Sequence, residues 1–564
     1  MITGRRSAFI LLLLFLTVSA TYADTSAPVF DVLIRGGDLY DGSGDPPVRA
    51  DVAIIKDRIA AIGDLANAGA HHVVHARSLA VAPGFINMLS WSNESLIADG
   101  RGQSELRQGV TTQIMGEGWS MGPVNDAIKK RMKREQTDIR YEIEWTTLAD
   151  YLHWLERAGI AQNVASYIGA TTIREYVIGL ENRKASPADL ERMRRLVEIE
   201  MRQGALGIAT ALEYAPAYYA DTEELIELCK VAARYRGKYI SHMRSEGERL
   251  LEGIDELIRI SREAKIPAEI YHFKAAGQAN WSKMDAAIAR VETARRHGLK
   301  ITANMYCYTA GAAPLTACIP PWAMAGGELA MRRRLLDATD RARIVKDIRE
   351  DTSWPNFYRN AGSPQRLLLI SFKKASLKPL QGKSLAQIAA QRRKDPIETL
   401  LDLLLEDESS IGTVYFITAE ENIRKLLPIP WISFGSDEAS QAPEGVFLKS
   451  LPHPRGYGNF ARVLGKYVRE EKLLSLPAAI HKLSALPAEN LGLERRGRLR
   501  EGYFADVVVF DPKTVIDHAT YTQPHQYATG VQHVFVNGVH VIKNGEHTGA
   551  KPGKALWGPG RMTP

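Results

Sequence analysis

The chain has 564 residues, of which 45% are hydrophobic and 24% charged, and its formal net charge is +7. This length exceeds what one hydrophobic core usually supports, so we expect a large domain and a smaller one. The ordinary composition and small net charge argue against a disordered chain and against a nucleic-acid-binding protein; the basic run at 129–134 is typical of a solvated helix face.

The N-terminus, residues 1–23, has the features of a secretory signal peptide. Arg5 and Arg6 precede an apolar run from Ala8 to Ala20, which is shorter than the roughly 20 residues that a membrane span needs. A small-x-small site then predicts cleavage near Ala23. An uncleaved anchor is the alternative. We expect the mature protein to be exported, periplasmic or secreted, and free of the membrane.

Short β runs dominate both ends of the chain. Residues 28–82 alternate strand-like segments with turns, and residues 486–555 return to the same pattern. Within the second segment, Asn537 and Gly538 stand between apolar runs, which is a strong hairpin signal. We therefore expect the two ends to form one small β-sandwich domain, with a barrel at 83–485 inserted between them.

The middle of the chain alternates strand-like and helical segments, which is typical of an α/β fold with parallel strands. The interval of about 320–430 is too long for one crossover and predicts an insertion over the barrel mouth. Helical stretches include 186–203, which begins with a capping Ser186 and a proline, and 222–235. Eight strand-like runs predict a metal-dependent (β/α)8, TIM-like barrel. They are 84–90, 111–117, 163–168, 205–211, 238–242, 268–272, 300–306 and 431–437.

Four polar residues end predicted barrel strands: Glu117, His242, His272 and Asp437. In a (β/α)8 barrel this position points into the active site. One carboxylate and two imidazoles suit a single Zn²⁺ with an open position for water, although such a set also accepts other divalent metals. Asp437 then suits proton transfer as the catalytic group. The structural alternatives are core histidines, a buried ion-pairing Glu117 and a helix N-cap at Asp437.

Arg244 and Lys274 each lie two residues beyond a predicted ligand. In an extended chain, positions i and i+2 share a face, so both side chains are candidates for binding a free carboxylate of the substrate. The alternative for Arg244 is an ordinary ion pair with Glu246 or Glu248.

Eight motifs follow one another along the chain in a specific order and spacing. They are Ala82-Pro-Gly-Phe-Ile, Arg107-Gln-Gly-Val-Thr-Thr, Gly204-Ala-Leu-Gly, Ser241-His-Met-Arg-Ser-Glu, Tyr271-His-Phe-Lys, Tyr306-Cys-Tyr-Thr-Ala-Gly, Gly435-Ser-Asp and His453-Pro-Arg-Gly-Tyr-Gly. Through them the chain resembles the N-acyl-D-amino-acid deacylase (D-aminoacylase) branch of the amidohydrolase superfamily, over nearly its whole mature length. The resemblance implies a metal-bearing barrel with a small sandwich, and substrate binding by Lys274 and Tyr306. It leaves His453 either near the substrate or bracing its loop.

Two departures from that family concern the metal site. The family usually follows Pro-Gly-Phe-Ile-Asp with a His-x-His, whereas Leu89 and Trp91 occupy the histidine places here, and neither can bind a metal. The family also tends to carry a cysteine ligand where this chain has Glu117. We therefore predict one metal ion rather than two.

The predicted function is zinc-dependent hydrolysis of a linear amide, in which an N-acylated amino acid or short peptide yields a carboxylate and a D-amino acid. A related amidohydrolase acting on D-dipeptides, isoaspartyl peptides or cyclic amides is one alternative. A non-catalytic scaffold is another; the missing His-x-His favours it, and the retained histidines and Asp437 oppose it. No nucleic-acid partner is expected, and a homo-oligomer is compatible with the sequence.

Overall fold

A computed structural model of the chain describes residues 1–2 and 29–562. The predicted signal segment, apart from Met1 and Ile2, lies outside the described residues. Within the described part of the chain, none of the helices combines the length and the apolar character that crossing a membrane requires.

Parallel strands form a barrel at the centre of the molecule, as the alternation of strand and helix predicts. The strands belong to a three-stranded and a six-stranded sheet that meet at both edges. Leu206 N donates to Ser166 O (3.1 Å) at one edge, and Met88 N donates to Phe434 O (3.1 Å) at the other. The strands are Phe85–Asn87, Val110–Met115, Asn163–Ser166 with Ile168–Gly169, Gly207–Ala211, Lys238–His242, Ala268–Ile270, Ile301–Met305 and Ile432–Phe434.

Amphipathic helices cover the outside of the barrel. In the helix Pro187–Gln203, the Ser186 side chain accepts from Asp189 N in a capping box, and proline occupies the first turn, as predicted. Gly204, with φ 108°, ends this helix in the left-handed region. The other main helices on this layer are Leu148–Ala158, Ala170–Ile178, Thr222–Arg234, Leu250–Ala264 and Met284–Arg296.

A separate small sheet is inserted between the last two barrel strands. Its strands are Gly311–Pro314, Leu367–Ser371, Lys383–Ser384 and Gly412–Tyr415. It packs with its own apolar core against helices of the same segment. These helices are Pro321–Met324, Gly327–Leu336, Ala338–Glu350, Phe357–Ala361, Leu385–Arg392 and Pro396–Asp407. The next helix, Glu420–Leu426, packs into the barrel core instead.

Strands from both chain ends form one nine-stranded sheet. The N-terminal strand Ala80–Pro83 pairs antiparallel with the C-terminal strand Val507–Phe510, and Val81 lies opposite Val509. The hairpin predicted at Asn537 and Gly538 joins two neighbouring strands. The remaining strands are Val29–Leu39, Val48–Ile55, Arg58–Gly63, Gly69–His75, Val531–Val536, Val539–Lys543 and Glu546–His547.

The last barrel strand is followed by helices that return the chain to the terminal sheet. The helix Arg455–Arg462 continues with π-helical hydrogen bonding over Val463–Glu470. Leu476–Leu483 and Ala485–Leu491 follow. The first residue of this region, Arg455, faces the centre of the barrel mouth.

Candidate metal centre and substrate cavity

Glu117 extends into the barrel mouth just beyond the strand Val110–Met115. The glycines on either side allow this position, with φ 105° at Gly116 and 67° at Gly118. A Cβ at Gly116 would lie 2.4 Å from Tyr167 O, and one at Gly118 would lie 2.5 Å from Ala211 Cβ. At both positions the backbone therefore passes too close to its neighbours for any residue other than glycine. Glu117 itself is buried, with 3% of its surface exposed.

His242 and His272 converge on one oxygen of Glu117. His242 Nδ1 lies 3.1 Å and His272 Nε2 2.8 Å from Glu117 Oε1. His242 ends its strand, whereas His272 lies two residues beyond its strand with a φ of 34°, a left-handed conformation unusual for histidine. The three side chains predicted as metal ligands are therefore brought together, each buried and within ligand distance of one another.

A second carboxylate lies beside the far nitrogen of each imidazole. Glu213 Oε2 is 3.2 Å from His242 Nε2, and Glu246 Oε1 is 2.9 Å from His272 Nδ1. Lys274 Nζ lies 2.6 Å from Glu246 Oε2 and 2.8 Å from His272 Nδ1. A carboxylate that accepts the proton of the far nitrogen leaves a lone pair on the near nitrogen, which is the arrangement of metal-bound histidine.

The buried charges around these histidines fit a divalent cation. The neighbouring cations are Lys274 and Arg455, so four carboxylates against two cations leave a net charge of −2 when the imidazoles are neutral. Uncompensated buried charge is costly, and one divalent ion balances it. The four carboxylates, each less than a tenth exposed, belong to Glu117, Glu213, Glu246 and Asp437.

Without a metal ion, the two imidazoles take up protons to balance the same charge. Burial acts to lower the pKa of His242, but Glu246, Glu117 and Glu213 outweigh it and raise the pKa to about 10. Burial and a nearby lysine act to lower the pKa of His272, but Glu246 and Glu117 raise it above its ordinary value. Burial acts to raise the pKa of Glu117, but the two imidazoles hold it well below its usual range.

Asp437 lies beside this cluster and is paired with Arg455. Its φ of 53° places the carboxylate at the barrel mouth, and Arg455 Nη1 lies 2.8 Å from Asp437 Oδ2. Burial raises the pKa of Asp437, against the opposing effect of Arg455. The Arg455 guanidinium lies 4.5 Å from the centroid of the Tyr306 ring. Tyr306 is buried, and its hydroxyl has no hydrogen-bond partner among the described residues.

Trp91 donates one N–H to both carboxylates of the centre. Its Nε1 lies 2.9 Å from Glu117 Oε2 and 3.2 Å from Asp437 Oδ1. Leu89, at the other histidine place of the family motif, is buried in an apolar cluster with Tyr271. Side chains that cannot bind a metal therefore fill both places.

The structure holds Arg244 in an ion pair outside the cavity that contains the proposed metal ligands. Its guanidinium pairs with Glu256 (2.9 Å) and donates to the backbone oxygens of Tyr218 and Ala220. The strand ends at His242, so the alternation that places i and i+2 on one face stops there. The ion-pair alternative is closer to the structure, although the partner is neither Glu246 nor Glu248.

His453 is fully buried, and both of its ring nitrogens bond to backbone groups. Its Nε2 donates to Ala310 O (3.0 Å), and its Nδ1 accepts from Arg455 N (3.1 Å). Burial and Arg455 hold the pKa of His453 well below its ordinary value, so the ring is neutral. Two residues later in the same motif, Arg455 reaches the cavity because the helix begins there. The sequence prediction includes this motif but not a role for Arg455, and it also lacks roles for Glu213 and Glu246 at the site.

A cavity of about 770 Å³ contains the centre and opens between the barrel strands and the inserted segment. Lys274, Tyr306 and Arg455 line it beside the predicted ligands. Tyr214 packs edge-on against His242, with ring centroids 5.1 Å apart. Away from the centre, the lining is largely apolar and includes Met121, Ile128, Met324, Phe357 and Phe447. Charged groups of the outer wall are Glu94, Arg131, Glu135, Asp138, Glu175, Glu328 and Lys373.

Comparison with known proteins identifies similar chains of nearly the same length. Residues 375–542 match the model of the amidohydrolase family. The D-aminoacylase of Alcaligenes xylosoxydans xylosoxydans is 34% identical over 531 residues, covering 93% of this chain and 97% of that protein.

Two solved structures are similar over the whole fold. An N-acyl-D-glutamate deacylase from Bordetella bronchiseptica, in complex with zinc and a phosphonate mimic of the tetrahedral intermediate, is 27% identical with a TM-score of 0.77, covering 94% of this chain and 100% of that one. A D-aminoacylase with a binuclear metal centre, in which one metal activates and a second attenuates, is 30% identical with a TM-score of 0.77, covering 93% and 99%.

Proposed function

The chain belongs to the D-aminoacylase family of amidohydrolases, and on that basis we propose that it is a metal-dependent N-acyl-D-amino-acid deacylase. Such an enzyme hydrolyses a linear amide to a carboxylate and a D-amino acid. The observation that carries the proposal is the convergence of two imidazoles on Glu117, beside Asp437, in the wall of a large cavity. Full-length similarity to deacylases of N-acyl-D-amino acids favours this function over a dipeptidase, a cyclic amidase or a scaffold.

The proposed metal ligands are Glu117 Oε1, His242 Nδ1 and His272 Nε2, which would hold one Zn²⁺. When bound, the ion supplies Lewis-acid polarisation of the scissile carbonyl and activation of the attacking water. Glu213 orients His242, because it accepts from the nitrogen that faces away from the ion. Glu246 lies 2.9 Å from the corresponding nitrogen of His272 and supplies negative charge there.

Asp437 is the proposed acid–base group. Its carboxylate takes a proton from the attacking water and returns it to the nitrogen of the leaving amine. Burial raises its pKa, which increases its affinity for the proton that it must carry. Arg455 and Trp91 each contact one of its oxygens and so fix its orientation.

Arg455 and Tyr306 are the proposed partners of the free α-carboxylate. Both Nε of Arg455 and the Tyr306 hydroxyl lack hydrogen-bond partners among the described residues, although both side chains are buried. A buried donor without a partner is costly, and a substrate carboxylate satisfies it. Lys274 is already held by Glu246, so it contributes charge more than a free hydrogen bond.

The charge of the outer cavity favours substrates with neutral side chains. Acidic groups outnumber basic ones there, and Arg131 is already paired with Glu175 and Glu135. The Lys373 ammonium donates to a backbone oxygen at the surface. A second carboxylate, as in N-acyl-D-glutamate, would therefore meet net negative charge and apolar walls.

The test is amine release by the zinc-loaded protein that begins at residue 24. N-acetyl-D-leucine, N-acetyl-D-phenylalanine and their L-enantiomers are compared with N-acetyl-D-aspartate and N-acetyl-D-glutamate. We expect hydrolysis of the neutral D-substrates only. Hydrolysis of the L-series would contradict the family-based stereochemistry, and a preference for acidic substrates would contradict the charge argument. If the zinc-bound protein released no amine from any of the six substrates, the result would contradict the proposed function.

We also propose that the protein is exported, because of the predicted signal at residues 1–23. Fractionation of cells that produce the full chain, with N-terminal sequencing of the product, tests this. A mature N-terminus near residue 24 in the exported fraction is expected, and a full-length cytoplasmic product would contradict it.

A further inference from the structure

The indole of Trp91 lies between the two carboxylates of the proposed catalytic centre. Its single N–H points at Glu117 Oε2 and Asp437 Oδ1 together, at 2.9 and 3.2 Å. The other Glu117 oxygen faces the two imidazoles. The Glu117 carboxylate therefore directs one oxygen toward the proposed metal position and the other toward Trp91.

The point occupied by the indole N–H is where a second cation would bridge these carboxylates. Carboxylate oxygens would be suitable ligands for such an ion. The indole nitrogen can only donate a hydrogen bond and cannot ligate a metal. Two buried like charges brought close together need a positive partner, and the N–H dipole supplies one without an ion.

The backbone holds this arrangement independently of the side chains. Asp437 N donates to Leu89 O (2.9 Å), and Trp91 N donates to Glu438 O (3.1 Å). The segment that carries Trp91 is therefore joined to the segment that carries Asp437 on both sides. Leu89 fills the adjoining space with apolar atoms, so neither place of the family motif offers a ligand.

We propose that Trp91 replaces a second metal ion: its N–H holds Glu117 and Asp437 in position and restricts the centre to one ion. This inference rests on the proposed function. In the binuclear D-aminoacylase relative, a second metal attenuates activity. Here the indole N–H already occupies the facing oxygens of both carboxylates, so we expect that excess divalent metal does not attenuate this chain. Trp91 acts as a positioning residue, since its contacts are to Glu117 and Asp437.

The deciding experiment is a metal titration of the natural chain, followed by cobalt absorption in the visible region and by metal analysis after dialysis. We expect saturation at one ion per chain. The variant Leu89→His/Trp91→His restores the family motif and is expected to take up a second ion with a distinct cobalt spectrum. Two ions bound by the natural chain would overturn the proposal. Because metal counting needs no substrate, this result is independent of whether the deacylase assignment holds.

A second variant keeps the proposal testable if the double variant does not fold. Trp91→Phe retains the ring but removes the N–H, so Asp437 loses a donor that favours its ionised form. We expect kcat to fall about 10- to 100-fold and the acid limb of the kcat/KM profile to move to higher pH, with one ion still bound. Trp154→Phe is the matched control, because Trp154 Nε1 donates to Glu144 Oε2 at the same distance, 2.9 Å, outside the site. An unchanged pH profile in Trp91→Phe would overturn the positioning role.

Discussion

Replacing Arg455 with methionine tests the centre most directly. Arg455 is 1% exposed, lies 2.8 Å from Asp437 Oδ2, and has a nitrogen free for the substrate carboxylate. Truncating one partner of a buried charge pair costs about 2–5 kcal/mol, which corresponds to a loss of about 30- to 5,000-fold in kcat/KM. Arg455 also lowers the pKa of Asp437, so its removal raises that pKa. Since the ionised carboxylate starts the reaction, the acid limb of kcat/KM moves to higher pH.

The assay is amine release from N-acetyl-D-leucine across pH, with zinc content and thermal unfolding measured on the same preparations. Arg462→Met is the matched control on the same helix. Arg462 lies 3.1 Å from Asp517 Oδ2, and its guanidinium lies 4.8 Å from the Tyr308 ring, but it is outside the cavity. We expect the control to keep kcat/KM near the natural value. A loss below about 10-fold in Arg455→Met, with zinc retained, would refute both the carboxylate-binding role and the coupling to Asp437.

Three further predictions follow from the same contacts. Glu117→Ala should lose both bound zinc and activity, as measured by metal analysis and amine release. Full activity in this variant would contradict the assignment of Glu117 as a metal ligand. Zinc binding to the metal-free protein at pH 8 should release about one to two protons per ion, because His242 and His272 have raised pKa values and must deprotonate to bind. Calorimetry in buffers of different ionisation enthalpy measures this proton release. Zinc binding without proton release would contradict the prediction. Arg244→Ala should lower the free energy of unfolding by about 1–3 kcal/mol, through loss of its charged hydrogen bonds to Glu256, while leaving KM unchanged. A large rise in KM would instead support a substrate-binding role for Arg244.

The barrel and the grouping of its proposed metal ligands could be predicted from the sequence because both follow from local pattern. Strand-like runs separated by amphipathic helices leave few arrangements other than parallel strands. Residues at the carboxyl ends of such strands meet at one mouth, so Glu117, His242 and His272 could be grouped without knowing any distance.

The rest of the site depends on where elements begin and end. Arg455 and His453 are two residues apart, and which one reaches the cavity is decided by a helix that begins at Arg455. Arg244 is diverted by Glu256, a residue on the following helix. Glu213 lies in a loop whose approach to His242 is set by tertiary packing, which no local spacing reveals.

The pairing of Val81 with Val509 has a consequence for the order in which the molecule can fold. It joins positions separated by about three quarters of the chain, and contacts of such high sequence separation form late and slowly. During synthesis, the strand Ala80–Pro83 can pair on one side with Val29–Leu39, but its partner on the other side, Val507–Phe510, is made only after the barrel and its insertion. Loop-closure entropy rises only slowly with loop length, so the delay is kinetic more than energetic. Closure of the terminal sheet is therefore a late step in folding. A prematurely terminated chain keeps an unpaired strand edge, which is the kind of surface that promotes aggregation.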